Sequence, residues 1–188
     1  MNLVDGFISY IEAERRYSPL TVRNYRRDIA DFLEFIGVDK ESFDPNAIAR
    51  ADVEEWIVYL FEKRKLKAQS VNRSVATLRS FWKWMLGHGH ANRNVVKIIP
   101  QAKTSSPLPI FVPESRMKDV VKSLRLDIAS EDFERLRDAI IILLFYTAGL
   151  RLAELSNLKI GDISADYRTI RILGKGEKER IVPLIGRM

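Results

Sequence analysis

The chain has 188 residues, 46% of them hydrophobic, which suffices for one large or two small packed domains and argues against wholesale disorder. It has no cysteine and only two histidines, His88 and His90, so disulfides, thiolate metal sites and a histidine-based metal cluster are not expected. The net charge of +6 is unevenly spread: from Lys63 to Pro113 there is no Asp or Glu but ten lysines and arginines, and the rest of the chain is slightly acidic. Such a stretch points to a face that binds a polyanion, with a plain solvated basic helix as the alternative. The N-terminus carries acidic Asp5 and no long apolar core, unlike a secretory signal. The most apolar run, Ala139 to Leu144, is too short to span a bilayer, so no membrane association is expected.

Residues Asn2 to Arg16 read as a first helix, with Leu3, Phe7, Tyr10, Ile11 and Glu14 at helical spacing. Ser18 is a good N-cap and Pro19 a good first helical residue, so a second helix starts there. Its apolar stripe is Val22, Tyr25, Ile29, Phe32, Leu33 and Ile36, and Gly37 ends it. Arg23, Arg26 and Arg27 fall off that stripe. Asp52 is expected to cap a third helix that buries Val53, Trp56, Ile57, Leu60 and Phe61. Ser70 to Leu86 reads as a fourth helix, with Val71, Val75, Leu78, Phe81, Trp82 and Met85 inside and Asn72, Arg73, Arg79 and Lys83 largely elsewhere. His88 and His90 in the following Gly-rich turn read as solvated turn residues rather than a ligand pair.

Residues 1–99 thus predict a small helical bundle. Residues 100–112, rich in Pro, Ser and Thr, read as an interdomain linker. Residues 113–188 read as a second domain. Its first helix starts at Pro113-Glu114 and runs through Met117, Val120, Val121 and Leu124. Ser130-Glu131-Asp132 then caps a helix through Phe133, Leu136, Ile140, Ile141, Leu144, Phe145 and Ala148, expected to be the buried spine of this domain. Gly149 breaks it, and Arg151 starts a short helix ending near Lys159. Arg168–Leu173 and Arg180–Leu184 alternate as strands, with Gly174 to Glu179 as the hairpin loop. The fold class is mainly α with a small β-hairpin.

Two strings carry candidate chemistry. The first is Thr147-Ala148-Gly149-Leu150-Arg151-Leu152-Ala153-Glu154-Leu155. An arginine held at a sharp corner can donate two parallel hydrogen bonds to a phosphate, and Glu154 on the same helical face can orient it. The structural alternative is a routine surface Arg–Glu pair. The second is Gly174-Lys175-Gly176-Glu177-Lys178-Glu179-Arg180. Glycines let a hairpin tip approach a backbone closely, and Lys175 there can reach a phosphate or donate a proton. The alternative is an ordinary basic hairpin tip. A nucleotide-binding loop is excluded, because no G-x-x-x-x-G-K-[ST] string is present.

Together these strings resemble the tyrosine recombinases of the Xer and phage-integrase type. The first resembles that family's first active-site box, and the second its lysine-bearing hairpin. Ser18, Thr21, Tyr25 and Asp28 resemble the S-x-x-T-x-x-x-Y-x-x-D signature of its helical, SAM-like core-binding domain. Asn72, Arg73 and Arg79 resemble its DNA-facing helix more loosely. The resemblance implies a SAM-like bundle followed by part of an α+β catalytic domain, and two domains that close around double-stranded DNA. It implies Arg151 as a catalytic arginine, Glu154 as its acidic companion and Lys175 as the hairpin lysine. Thr21, Arg23, Arg26, Arg27, Lys67, Asn72, Arg73, Arg79, Lys83, Lys178 and Arg180 are the candidate DNA contacts. It implies neither metal nor cofactor, partnership with other protomers on DNA, and a cytoplasmic setting.

The family also uses a His-x-x-Arg box, a further His or Trp and a nucleophilic tyrosine after the hairpin. No histidine follows His90, and Tyr146 and Tyr167 lie too early to match the nucleophile. The sequence therefore reads as a fragment of a recombinase, expected to bind DNA without cleaving it. The competing reading is a non-enzymatic helical DNA-binding regulator.

Overall fold

The computed structural model describes residues 2–104, 110–128, 131–174 and 178–184, in two compact units, Met1–Pro107 and Leu108–Met188. In the first unit, Asn2 caps α1 (Leu3–Ser9) by accepting from the Asp5 amide, 2.9 Å away. The expected single helix to Arg16 does not stay α-helical. It widens into a π-helical turn over Tyr10–Glu14 and ends at Arg16, whose φ is +49°. A π turn keeps the backbone bonded while shifting the register of the side chains beyond it.

Helix α2 (Pro19–Phe35) begins as its sequence predicts: the Ser18 hydroxyl accepts from the Thr21 amide at 3.3 Å, and Pro19 occupies the first turn. Gly37, with φ +67°, takes the chain out of it. Helix α3 (Arg50–Glu62) differs from expectation at its start. Ala49 holds the cap position, and Asp52 reaches back from the first turn to accept from the Ala49 amide at 2.7 Å. A carboxylate three residues into a helix satisfies the same free donors and complements the helix dipole.

Helix α4 (Ala68–Gly87) is the axis of this unit. All six residues of its expected inner stripe, Val71, Val75, Leu78, Phe81, Trp82 and Met85, are buried. Phe32 of α2 lies edge-on to Trp56 of α3 and Trp82 of α4, with centroids 5.3 and 5.9 Å away, geometry that the aromatic quadrupole favours. Val95, Val96 and Ile99, beyond α4, also enter the core, so the bundle extends past its last helix.

The second unit contains α5 (Glu114–Ile128), α6 (Phe133–Ala148), α7 (Leu152–Ser156), a 3-10 turn at Ile160–Asp162 and an antiparallel hairpin of β1 (Thr169–Leu173) and β2 (Glu179–Pro183). Asp132 caps α6, accepting from the Glu134 and Arg135 amides; Ser130, expected to share that role, lies outside the described residues. Two small apolar clusters flank α6. Leu124, Ala139 and Leu143 join it to α5, while Leu150, Ile170 and Ile172 join its C-terminal end to the hairpin.

The expected buried spine is not found. Along α6 only Ala139 and Leu143 are fully buried, while Phe133 is 72% exposed and Ile140, Ile142 and Tyr146 face solvent. A helix apolar on every side needs cover on every side. Among the described residues, α5 and the hairpin cover only part of its circumference. The short helix after Arg151 also ends earlier than expected, at Ser156, and a 3-10 turn carries the chain past Lys159.

Candidate functional site

The second unit's site forms where α6 ends. Gly149 sits in the left-handed region at φ +59°, which an L side chain resists, and this stops α6 and turns the chain into α7. Leu150 anchors the corner in the apolar cluster under the hairpin. Arg151 follows, its side chain 73% exposed, whereas that of Glu154 is only 6% exposed.

Glu154 is held from three directions. Its Oε2 accepts from the Arg151 backbone amide at 2.8 Å, and its Oε1 accepts from Arg151 Nη1 at 2.8 Å. From the hairpin, Arg180 donates Nη1 to Oε1 at 2.7 Å and Nη2 to Oε2 at 2.8 Å. This is the two-pronged geometry in which a guanidinium binds a carboxylate best. The Arg180 hydrogen bonds, then that of the Arg151 amide, hold the Glu154 carboxyl far below the ordinary carboxylate range despite its burial. The same pairing raises the Arg180 guanidinium, which stays charged.

Strand register explains why Arg180 reaches inward. Ile172 pairs with Arg180 and Ile170 with Val182, so Arg180 lies on the face that also carries the two buried isoleucines. Gly174 closes the hairpin mouth by donating to Lys178 O at 2.7 Å. A Cβ at Gly174 would lie 3.2 Å from that oxygen and 3.7 Å from both Glu154 Oε1 and Arg180 Nη1, so the bare backbone permits this approach. Lys175, the proposed hairpin lysine, lies outside the described residues. Lys178 is exposed. The corner therefore brings together Arg151, Glu154, Arg180 and the hairpin mouth, with two guanidiniums against one carboxylate. One positive charge remains in excess, and Arg151 keeps donors facing solvent.

In the first unit the candidate contacts fall into two kinds. Arg23, Lys67 and Lys83 are exposed and, among the described residues, have no ion-pair or hydrogen-bond partner for their side chains. Arg26 is exposed and pairs with Asp5 at 3.5 Å, and Arg27 is exposed and pairs with Asp28 at 3.4 Å. The Thr21 hydroxyl exchanges a 2.9 Å hydrogen bond with Ser18.

The α4 residues are tied to the protein itself. Arg73 Nη1 donates to Asp28 Oδ2 at 2.7 Å, and Thr77 Oγ1 donates to the same oxygen at 3.0 Å. Asn72 bonds both backbone groups of Ala102, accepting from its amide and donating to its carbonyl, each at 2.8 Å. Arg79 Nη2 donates to the Ile99 carbonyl at 3.0 Å. One face of α4 thus grips α2 through Asp28, and another grips residues 99–102. Arg73 and Arg79 each keep guanidinium donors beyond the one that is used.

Asp28 and Thr77 are what sequence reasoning missed as a pair. Asp28 lies in the middle of the α2 apolar stripe and is 1% exposed. A charged residue at such a position demands a partner, and that was the available signal. His88 and His90 pack their rings against Trp84, at centroid distances of 4.9 and 5.5 Å, and His88 Nδ1 contacts the Trp84 carbonyl oxygen at 2.9 Å. Among the described residues, no helix is long and apolar enough to cross a membrane.

The fold, a helical bundle followed by a unit of helices and a β-hairpin, is shared with a solved integrase and a solved recombinase. A lambda integrase (75–356) dimer bound to a COC' core site superposes with a TM-score of 0.66 at 18% identity, covering 96% of this chain and 60% of that one. The XerH recombinase bound to palindromic difH substrate gives 0.62 at 19% identity, covering 90% of this chain and 50% of that one. At these identities the likeness shows the fold. Residues 4–89 match the phage integrase N-terminal SAM-like domain, and residues 117–187 match the phage integrase family. Tyrosine recombinase XerC of Pediococcus pentosaceus is 33% identical over 183 residues, and XerD of Listeria monocytogenes serovar 1/2a is 32% identical over 183. The chain belongs to the tyrosine recombinase, or phage integrase, family. It covers 60% of the length of each of these two relatives.

Proposed function

We propose that this chain is the DNA-binding and phosphate-clamping part of a site-specific recombinase. Residues 1–99 form a core-binding domain, 100–112 the linker and 113–188 part of the catalytic domain. The observation that carries the reading is the α6–α7 corner, where Arg151 stands out into solvent while its carboxylate partner is nearly buried. Attack on a phosphodiester builds negative charge on the non-bridging oxygens. A guanidinium already oriented by a fixed carboxylate can meet that charge without reorganising. Lys175, next in sequence to Gly174, is the proposed proton donor to the departing 5′-oxygen. Neither metal nor nucleotide is called for, because a phosphotyrosyl link conserves the energy of the broken ester.

The DNA partner is duplex. Arg23, Arg26, Arg27, Lys67 and Lys83 supply exposed charge, and the partly held Arg73 and Arg79 supply oriented donors. Thr21, Asn72 and Lys178 complete the backbone contacts. Other protomers assemble on the same DNA, and the setting is the cytoplasm. After the hairpin these residues carry neither a tyrosine nor a His-x-x-Arg string, and His90-Ala91-Asn92-Arg93 lies in the first unit, so binding without cleavage is assigned to them.

The test is fluorescence anisotropy with duplex DNA between 50 and 200 mM salt. The logarithm of affinity should fall linearly with the logarithm of salt, and R151Q should reduce the slope by about 0.9 for one lost phosphate contact. No salt-dependent affinity would overturn the reading, and an R151Q slope equal to that of the parent would favour the non-enzymatic regulator. A covalent protein–DNA adduct on a denaturing gel would overturn the assignment of binding without cleavage.

A further inference from the structure

Resting on that reading of the corner, we infer that Arg180 is a positioning residue rather than a DNA contact: by gripping both oxygens of Glu154 it fixes the carboxylate that holds Arg151, and it fastens the mouth of the lysine-bearing hairpin to the α6–α7 corner. Four observations support this. The register places Arg180 on the inner face of β2, opposite Ile172 and in phase with Val182. Its two terminal nitrogens are both committed, at 2.7 and 2.8 Å, to one carboxylate. That carboxylate spends its remaining capacity on the backbone amide and the side chain of Arg151. Gly174, the residue before Lys175, is close enough that an added Cβ would come within 3.7 Å of Glu154 Oε1 and Arg180 Nη1.

The arrangement has a directional logic. Glu154 is the hinge of a relay in which the guanidinium on the hairpin side faces it with both terminal nitrogens and the one on the corner side is offered. The bidentate pair defines the plane of the carboxylate, because a planar fork facing a planar acceptor has one good orientation. With that plane fixed, Oε1 presents one direction to Arg151 Nη1 and Oε2 one direction to the Arg151 amide. Lysine at position 180 would keep the charge but lose the fork, so charge and orientation can be separated experimentally.

The experiment compares the parent chain with R151A, R180K, R180M and R151A/R180M in DNA affinity and salt slope. It also follows the side-chain Nε–H signals of Arg151 and Arg180 in the DNA-free protein by NMR. A positioning role predicts that R180K loses about 0.9 of the slope although its charge is intact, and that R151A/R180M is no weaker than R151A. It also predicts that R180K moves the Arg151 Nε–H signal in the absence of DNA. If R180K keeps the parental slope, or if the two losses add to about 1.8 in the double variant, Arg180 is itself a phosphate contact and the inference falls. R180K carries the test alone if R180M does not fold. Should the parent show no salt-dependent DNA affinity, the functional reading fails, and the NMR comparison then decides the relay by itself. An Arg151 signal that moves in R180K supports it, and one that stays put overturns it.

Discussion

Replacing Arg23, Lys67 and Lys83 together by glutamine tests whether the first unit binds DNA through its exposed cations. All three side chains are exposed and, among the described residues, have no partner to lose, so the fold should tolerate the change to within about 0.5 kcal/mol. Each cation that neutralises a phosphate releases counterions worth about 0.9 in the slope of log affinity against log salt, so three contacts account for about 2.7. Between 50 and 200 mM, a fourfold change in salt, that difference amounts to a factor of about 40. The parent should therefore outbind the triple variant by about 40-fold more at the lower salt than at the higher. Anisotropy titrations at four salt concentrations measure this directly, and thermal unfolding confirms that the variant is folded. A triple variant with the parental slope would refute the assignment, whatever its affinity at one salt. A loss of affinity equal at all salts would also refute it, because that is the behaviour of a disturbed fold rather than of lost phosphate contacts.

Other consequences concern the internal pairs. R73M removes the nearer of the two charged partners of Asp28, a residue 1% exposed, and should cost about 2 kcal/mol. That lies below the usual ~3–5 kcal/mol for stranding a buried charge, because Thr77 still donates to it and the exposed Arg27 still pairs with it at 3.4 Å. Urea unfolding followed by tryptophan fluorescence reports on this unit, which holds Trp56, Trp82 and Trp84, and D28N added to R73M should recover part of the loss. The carboxyl of Glu154 is depressed in the folded chain, so its contribution is complete above the ordinary glutamate pKa of about 4.3 and erodes as the pH falls below it. The protection factors of the hairpin amides, that is, exchange relative to the intrinsic rate at each pH, should fall below about pH 4 in the parent, and E154Q should lose that fall.

Local signals made the bundle legible. Ser18-Pro19 marks the start of α2, and the stripe on α4 repeats at the helical period, so neither needs knowledge of the rest of the chain. The π turn in Tyr10–Glu14 has no such signal, because its residues fit either helix equally well. The apolar composition of α6 suggested a buried spine, but composition states only what a helix could bury. What it does bury depends on which elements lie beside it, and here α5 and the hairpin leave Phe133, Ile140 and Ile142 outside. The grip of Asn72 and Arg79 on residues 99–102 was hidden for a related reason. Both residues fall off the core stripe and read as free to meet a ligand, and the backbone groups they hold come from a segment without periodicity.

Arg180 shows where a sequence argument can be carried further. Its strand alternates, and Arg180 shares its phase with Val182 and Leu184, both half-buried, so the side chain had to point toward the core side of the hairpin. An arginine aimed inward needs an acceptor, because a guanidinium cannot shed its charge. Glu154 meets that need: it sits in the first turn of α7 with its carboxylate turned back over the corner, where it also satisfies the Arg151 amide. The pairing of β2 with α7 is therefore a consequence of two local rules, strand alternation and first-turn capping, meeting in one carboxylate. Sequence spacing alone could not supply the direction of the relay. Only the geometry, with Arg180 37% exposed and doubly bonded and Arg151 73% exposed and singly bonded by its side chain, distinguishes the arginine that holds from the arginine that is offered.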